Sequence, residues 1–197
     1  MKKVQGAKGL IIAIVLILLV VGYYYYLSNY HEKEVEEEVT ISEAHDLLLR
    51  DLDRNYPPTP KEVLKYFFEI TICLYNDKLP EEDVEALALR VQELCDDELN
   101  SNNPAEEYLT ELKSEISAFQ TGSSRILNYS TSSSVDVDYY EEDRYSFARM
   151  YGTYYLQVQK NLKSLEEVFV FRKDSDGHWK LYGWQPVENT ENAQMAE

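Results

Sequence analysis

Residues Gly9 to Leu27, GLIIAIVLILLVVGYYYYL, constrain this chain more than any other stretch. They carry no charge, and Leu, Ile and Val dominate, so a helix here has no wet face to turn toward solvent. At ~1.5 Å per residue such a helix is ~28 Å long, close to the ~30 Å of a bilayer's hydrocarbon core. We therefore expect a single transmembrane helix over 9–27. Tyr23, Tyr24, Tyr25 and Tyr26 close it, with apolar rings and polar tips suited to the headgroup region.

Flanking charge sets the orientation. Lys2, Lys3 and Lys8 precede the span, whereas from Leu27 to Arg50 the only basic residue is Lys33, set among Glu32, Glu34, Glu36, Glu37 and Glu38. The positive-inside rule puts residues 1–8 in the cytoplasm and the bulk of the chain outside the cell membrane, as a single-pass protein. A cleaved signal peptide needs small residues at spaced positions, a pattern YYYYLSN does not offer, and no cysteine follows closely enough for a lipid anchor. The expectation is an uncleaved signal anchor.

Acidic residues outnumber Lys plus Arg by 36 to 19. That balance argues against nucleic acid as a partner, because backbone phosphates demand a basic surface. It favours solubility first, and attraction of cations or basic partners second. The two cysteines, Cys73 and Cys95, do not make a disulfide framework. On adjacent antiparallel helices turning near Asp77–Leu79 they would be offset by ~15 Å along the axis, beyond the ~7 Å a disulfide spans between alpha carbons. Both are expected as free, buried, small apolar residues.

Residues 28–58 read as an acidic stalk and a juxtamembrane helix. Ser28 to Val39 has too little apolar content to pack. Thr40-Ile41-Ser42-Glu43 is a capping box, opening a helix with Ala44, Leu47, Leu48 and Leu52 on one face and stopping at Tyr56 before Pro57-Pro58. Three helix starts follow within the expected domain, 59–187. Thr59-Pro60-Lys61-Glu62, Leu79-Pro80-Glu81-Glu82 and Asn103-Pro104-Ala105-Glu106 each put Pro at the first helical position and Glu at the third. Val84, Leu87, Ala88, Val91, Leu94 and Cys95 form one apolar stripe, and Tyr108, Leu109, Leu112, Ile116 and Phe119 another.

After Gly122 the period changes to two. A strand is expected over 125–140, with Val135, Val137 and Tyr139 alternating with Asp136, Asp138 and Tyr140, then a polar turn at Glu141-Glu142-Asp143. Tyr145 to Val158 follows as a long strand, with Phe147, Tyr151, Thr153 and Tyr155 on one side and Met150, Tyr154, Leu156 and Val158 on the other. Leu165 to Arg172 sets Phe169 and Phe171 against Val168 and Val170; Asp174 to Gly177 is a hairpin turn, and HWKLYGW a fourth strand. The polar tail, 188–197, is expected to be disordered. The fold class is α+β, with three to four helices packed on one face of a curved four-stranded antiparallel meander. Helices cover only one face of such a sheet, which leaves the second for another copy, an envelope protein partner, or partial exposure.

Three helices followed by a meander ending in Asp176-Gly177-His178-Trp179-Lys180-Leu181-Tyr182-Gly183-Trp184 resemble the cone-shaped α+β roll of the nuclear-transport-factor superfamily over about residues 59–187. The whole layout, with YYYYLSN, NYPPTPKEVLKYFFEITICLYN and DGHWKLYGW, looks like an uncharacterised family of single-pass membrane proteins from anaerobic Gram-positive bacteria. That likeness implies location and fold but no activity. Enzymes of the superfamily work in the cone's cavity with an acidic or histidine base and a tyrosine or acid, and Tyr151, Tyr155, His178 and Asp138 are the groups to expect there.

No residue matches a catalytic dyad of that kind, and no nucleophile elbow, zinc-protease helix or phosphate loop is present. Asp136 and Asp138, about 7 Å apart on one strand face and followed by Glu141, Glu142 and Asp143, have the hard oxygens calcium prefers, but lack the fixed turn and ligand spacing of a calcium loop. They read as a solvated edge. His178 reads as an exposed strand end, His45 lies in the capped helix and His31 in the stalk. Alternating tyrosines suit cross-strand packing better than a sugar-stacking platform. No catalytic, cofactor-binding or metal residue is assigned, and no cofactor is expected. The leading expectation is a non-enzymatic, membrane-anchored extracytoplasmic interaction or envelope scaffold module. The alternative is a small-ligand binder or enzyme using the cone cavity, which an open pocket lined by a carboxylate and a tyrosine would favour.

Overall fold

Thr59 starts the first long helix as expected: its Oγ1 accepts from the Glu62 amide at 3.2 Å, and Pro60 occupies the first helical position. The structure is a computed structural model and describes residues 43–187. The Gly9–Leu27 span, the stalk, the Thr40 cap and the 188–197 tail lie outside the described residues. Among the described residues no helix is long and apolar enough to cross a membrane.

Among the described residues five helices precede the sheet. Residues 43–48 are helical (α1), followed by α2 (Pro60–Asn76), α3 (Glu81–Leu94), α4 (Asp97–Asn102) and α5 (Ala105–Thr121). The helix expected to reach Tyr56 ends at Leu48 instead. Asp51 redirects the chain, its carboxylate accepting from the Asp53 and Arg54 amides at 3.1 and 3.2 Å, an alternative to continued helix that short acidic side chains offer. Ala44 and Leu52 are still buried, and the Tyr66 and Tyr56 hydroxyls donate to the Leu47 and Trp179 carbonyls at 2.5 and 3.1 Å, so residues 43–58 pack on the domain core. In α3 and α5 the proline precedes the first helical residue rather than occupying it. The expected stripes are the buried ones: Leu87, Ala88, Val91, Leu94 and Cys95, then Leu112 and Ile116, with Val84, Tyr108, Leu109 and Phe119 partly buried against them.

Helix α4 is an addition to the expected set, and it depends on a distant partner. Asp96 caps it, accepting from the Glu98 amide at 2.9 Å, and is itself buried. Arg172 holds both carboxylate oxygens of Asp96, through Nε at 2.9 Å and through Nη2, and reaches Glu98 at 3.0 Å with Nη1. The rings of Tyr145 and Tyr182 flank the guanidinium, with centroids 5.0 and 4.6 Å from Cζ.

The strands are β1 (Ser124–Thr131), β2 (Asp138–Glu142), β3 (Tyr145–Val158), β4 (Asn161–Lys173) and β5 (Trp179–Pro186), in one antiparallel sheet. The single strand expected over 125–140 is two. β1 pairs with residues 152–158 of β3 and β2 with residues 145–149, so the two lie in line along one edge of β3. Ser132 ends the first: its Oγ accepts from the Tyr151 amide at 3.2 Å while its amide donates to the Tyr151 carbonyl at 2.9 Å. A 3-10 turn over Ser134–Asp136 then intervenes. Asp136 and Asp138 therefore share no strand face. The β2–β3 turn falls at Asp143-Arg144, both with positive φ (48° and 74°), and Glu141 and Glu142 belong to β2. At the β4–β5 turn Gly177 has φ 87°, and Asp174 accepts from the Asp176 and His178 amides at 3.0 and 2.7 Å.

The core lies between the helices and one sheet face. Met150, Tyr154, Phe169, Phe171 and Leu181 point into it, and α2 contributes Val63, Leu64, Phe67, Phe68 and Ile70. Phe68 sits at the centre, with Tyr154, Tyr129 and Phe169 rings at 4.4, 5.0 and 5.4 Å. Its ring rests where Gly152 leaves a gap in β3: a Cβ there would meet Phe68 Cζ at 2.5 Å and Phe169 Cε2 at 3.0 Å. The α2 C-terminus is tied to β1 by Asn76, whose amide donates to the Ile126 carbonyl at 2.7 Å and accepts from its N–H at 2.9 Å. Beside β5, the Asp96 amide donates to the Leu181 carbonyl at 2.8 Å.

Gly152→Ala is expected to destabilise the fold by about 1–3 kcal/mol, since neither ring can retreat; urea unfolding followed by tryptophan fluorescence measures this. Cys73 and Cys95 are free and buried, and burial pushes both thiols up to about 12. A thiol reagent should find none on the native chain and two after denaturation without reductant; zero after denaturation would mean they are bridged.

Candidate functional site

Where α2, α3 and α5 lean over the inner sheet face, they leave a cavity of ≈ 370 Å³. That is within the usual range of small-molecule pockets, roughly 300–1,000 Å³. Phe67, Leu74 and Tyr75 reach it from α2, Leu112 and Phe119 from α5, and Tyr154 and Leu156 from β3. The strand period explains this arrangement. Even-numbered residues of β3 and odd-numbered residues of β4 share the inner face, so Tyr154 and Leu156 line up with Leu165, Glu167 and Phe169.

Glu167 is the exception in this wall. It is a carboxylate in phase with Phe169 and Phe171, only 9 % exposed, and no side chain or backbone group among the described residues donates to it. Its cross-strand neighbours explain the isolation: Gly152 on β3 has no side chain and Pro186 on β5 has no N–H. Burial raises its carboxyl above the usual carboxylate range. Glu115, the other acid of the lining, is exposed at the mouth and accepts from the Tyr75 hydroxyl at 2.8 Å. Trp184, 43 % exposed, stands there too, its ring 5.6 Å from Phe67 and 6.4 Å from Phe169. Burial raises the phenols of Tyr75, Tyr108 and Tyr154, so all three remain hydrogen-bond donors at any ordinary pH.

None of the four groups expected in the cavity is there. Tyr151 and Tyr155 are on the outer face, 44 % and 43 % exposed, because their odd numbers place them opposite Tyr154. Asp138 pairs with Arg149 at 2.6 Å on that same face, which also removes it from any calcium cluster. His178 stacks on Tyr56, with centroids 4.3 Å apart, and its Nδ1 is 3.7 Å from Asp174. It borders a separate groove of ≈ 860 Å³, shared with Lys180, Asp53, Glu93 and Asp97. Lys180 there donates to the Glu93 carbonyl at 2.8 Å, and its groups mainly hold the β4–β5 turn to the helices. His45 is exposed on α1, and His31 lies outside the described residues. Among the described residues no group of three or more His, Cys, Asp or Glu has metal-binding geometry.

Sequence reasoning chose cavity candidates by residue type and so passed over Glu167. The signal was its phase: residue 167 alternates in step with Phe169 and Phe171, which share one strand face.

A raised carboxyl pKa means that the folded chain binds this proton more tightly than the unfolded chain does. The associated stability is complete below the ordinary carboxylate value and is lost as pH rises through the raised one. Glu167→Gln keeps the shape and removes the charge, so it should raise Tm at pH 7.5 by roughly 3 °C, a gain that shrinks toward pH 4. Thermal melts of both proteins across that range check it; a lowered Tm at pH 7.5 would mean the carboxylate has a partner.

No curated protein matches the chain. Residues 1–184 match the family described as a domain of unknown function, DUF6715, and with nearly its whole length matched, the chain belongs to that family.

Proposed function

We propose that this protein is a single-pass membrane protein whose extracytoplasmic α+β domain binds a small, mainly apolar molecule in the cavity between its helices and its sheet. The observation that carries the binding role is Glu167, an unpartnered carboxylate inside an aromatic and aliphatic cavity. A fold selected for stability alone would put a hydrocarbon at this position, because a buried charge without a partner costs stability. Few polar groups converging in an apolar cleft are the usual composition of a ligand site. Among the described residues the lining has no histidine, cysteine or serine, and its one threonine, Thr71, donates to the Phe67 carbonyl at 2.8 Å. Binding suits these groups better than nucleophilic catalysis.

The uncharged Gly9–Leu27 stretch and the lysines before it support the anchor and its orientation. The order of helices then strands, with a cavity between them, fits the cone-shaped roll of the nuclear-transport-factor superfamily, in which the cavity is the working part. A second reading, contact with another copy or with an envelope protein through the outer sheet face, is favoured by one observation. Tyr151 and Val168 are cross-strand partners there with Val170 beside them, and all three keep solvent contact.

The test uses the full-length chain, methyl-labelled, in lipid nanodiscs. Adding 2-phenylethanol should shift the methyl resonances of Leu112, Leu156 and Leu165 saturably, and Leu156→Trp, which fills the cavity, should abolish the shifts. Shifts that survive Leu156→Trp, or a failure of both 2-phenylethanol and its ammonium analogue 2-phenylethylammonium to bind saturably, would remove the ligand reading. A photo-crosslinker replacing Tyr151 in intact cells should leave the chain without a discrete adduct; a single defined adduct would shift the role to the outer face.

A further inference from the structure

The cavity's charges are all of one sign. Among the described residues Glu115 and Glu167 are the only carboxylates of its lining, and no Lys, Arg or His belongs to it. The two acids are not equivalent. Glu115 is exposed and already bonded by Tyr75, whereas Glu167 is 9 % exposed and has no donor among the described residues. The inner-face pairs next to it on either side are Tyr154 with Leu165 and Phe169 with Trp184. An isolated carboxylate beside aromatic faces has two complementary attractions for the same object. The carboxylate seeks a positive charge, and the electron-rich faces of Phe67, Tyr154 and Trp184 attract a cation while tolerating its hydrocarbon body. The net charge of −17 on the chain adds a long-range field of the same sense.

We propose that the occupant of this cavity is a small organic monocation, an amine or quaternary ammonium with a compact apolar body, whose charge lies against Glu167. The inference rests on reading the cavity as a ligand site. It commits to a cation over the other chemistry Glu167 permits, in which a protonated carboxyl donates to a neutral ligand. An ammonium takes up the charge that the wall leaves uncompensated, while a neutral ligand leaves the carboxyl to be neutralised by a proton.

Two probes of nearly equal shape separate these cases, 2-phenylethylammonium and 2-phenylethanol, titrated at pH 7.5 into the full-length chain in nanodiscs and followed by methyl shifts. The ammonium should bind roughly tenfold tighter or more, as a charge-assisted contact in a largely buried site requires. Glu167→Gln should cut its affinity by roughly tenfold while changing that of the alcohol by less than about threefold. Glu115→Gln, at the wet mouth, should change neither by more than about threefold. If the alcohol binds as tightly as the ammonium, or if Glu167→Gln leaves their ratio unchanged, the cation assignment is overturned and the ligand site beneath it stands. If neither probe binds saturably, both are overturned.

Discussion

Everything in this domain is arranged around the close approach of Phe68 to Gly152. A helix laid on a sheet normally stands off by the depth of two side chains. Here one strand position has no side chain, so an aromatic ring from α2 rests directly on the β3 backbone. With α2 held down at that point, Phe67 and Leu74 are brought over the inner face, and Tyr154, Tyr129 and Phe169 close around the ring. The same glycine is the cross-strand neighbour of Glu167. One missing side chain thus makes room for the centre of the core on one side and leaves a carboxylate without a partner on the other.

What was legible in the sequence was what depends on local period and local caps. The apolar stripes of α3 and α5, the Thr59 cap, the full extent of β3 and the Asp174–Gly177 turn all follow from neighbours within a few residues. Two of the misses have their cause in distant contacts, and the third in a local one. Helix α4 has six residues and no buried side chain of its own; Arg172, far along the chain, holds its cap. The break between β1 and β2 depends on Ser132 pairing with Tyr151, and nothing in the alternation of residues 125–140 signals it. The first helix stops at Leu48 because the Asp51 side chain competes for backbone amides just where the apolar pattern argues for continuation.

The candidate site shows a different limit. Strand alternation placed Phe169 and Phe171 on one face and Val168 and Val170 on the other, and the structure makes the phenylalanine face the inner one. The same alternation carries Glu167 inward, yet a charged residue at a strand position is ordinarily assigned to water. Phase was the better guide than residue type. A carboxylate that breaks the rule for its type while obeying the period of its strand marks a position where stability has been given up, and the site is built around that departure.

The ties at the two sides of the sheet bear on how copies of this chain can meet. A bare outer strand offers unsatisfied amides and carbonyls to any similar strand, the route to edge-to-edge zipping and fibrils. Asn76 occupies both the amide and the carbonyl of Ile126 on β1, while Tyr56 and the Asp96 amide take the carbonyls of Trp179 and Leu181 on β5. Another outer strand, β2, is five residues long and carries Asp138, Glu141 and Glu142. Strand addition is opposed at these points of the perimeter, so crowded neighbours meet a sheet whose β1, β2 and β5 edges are each interrupted by an occupied backbone group or a carboxylate.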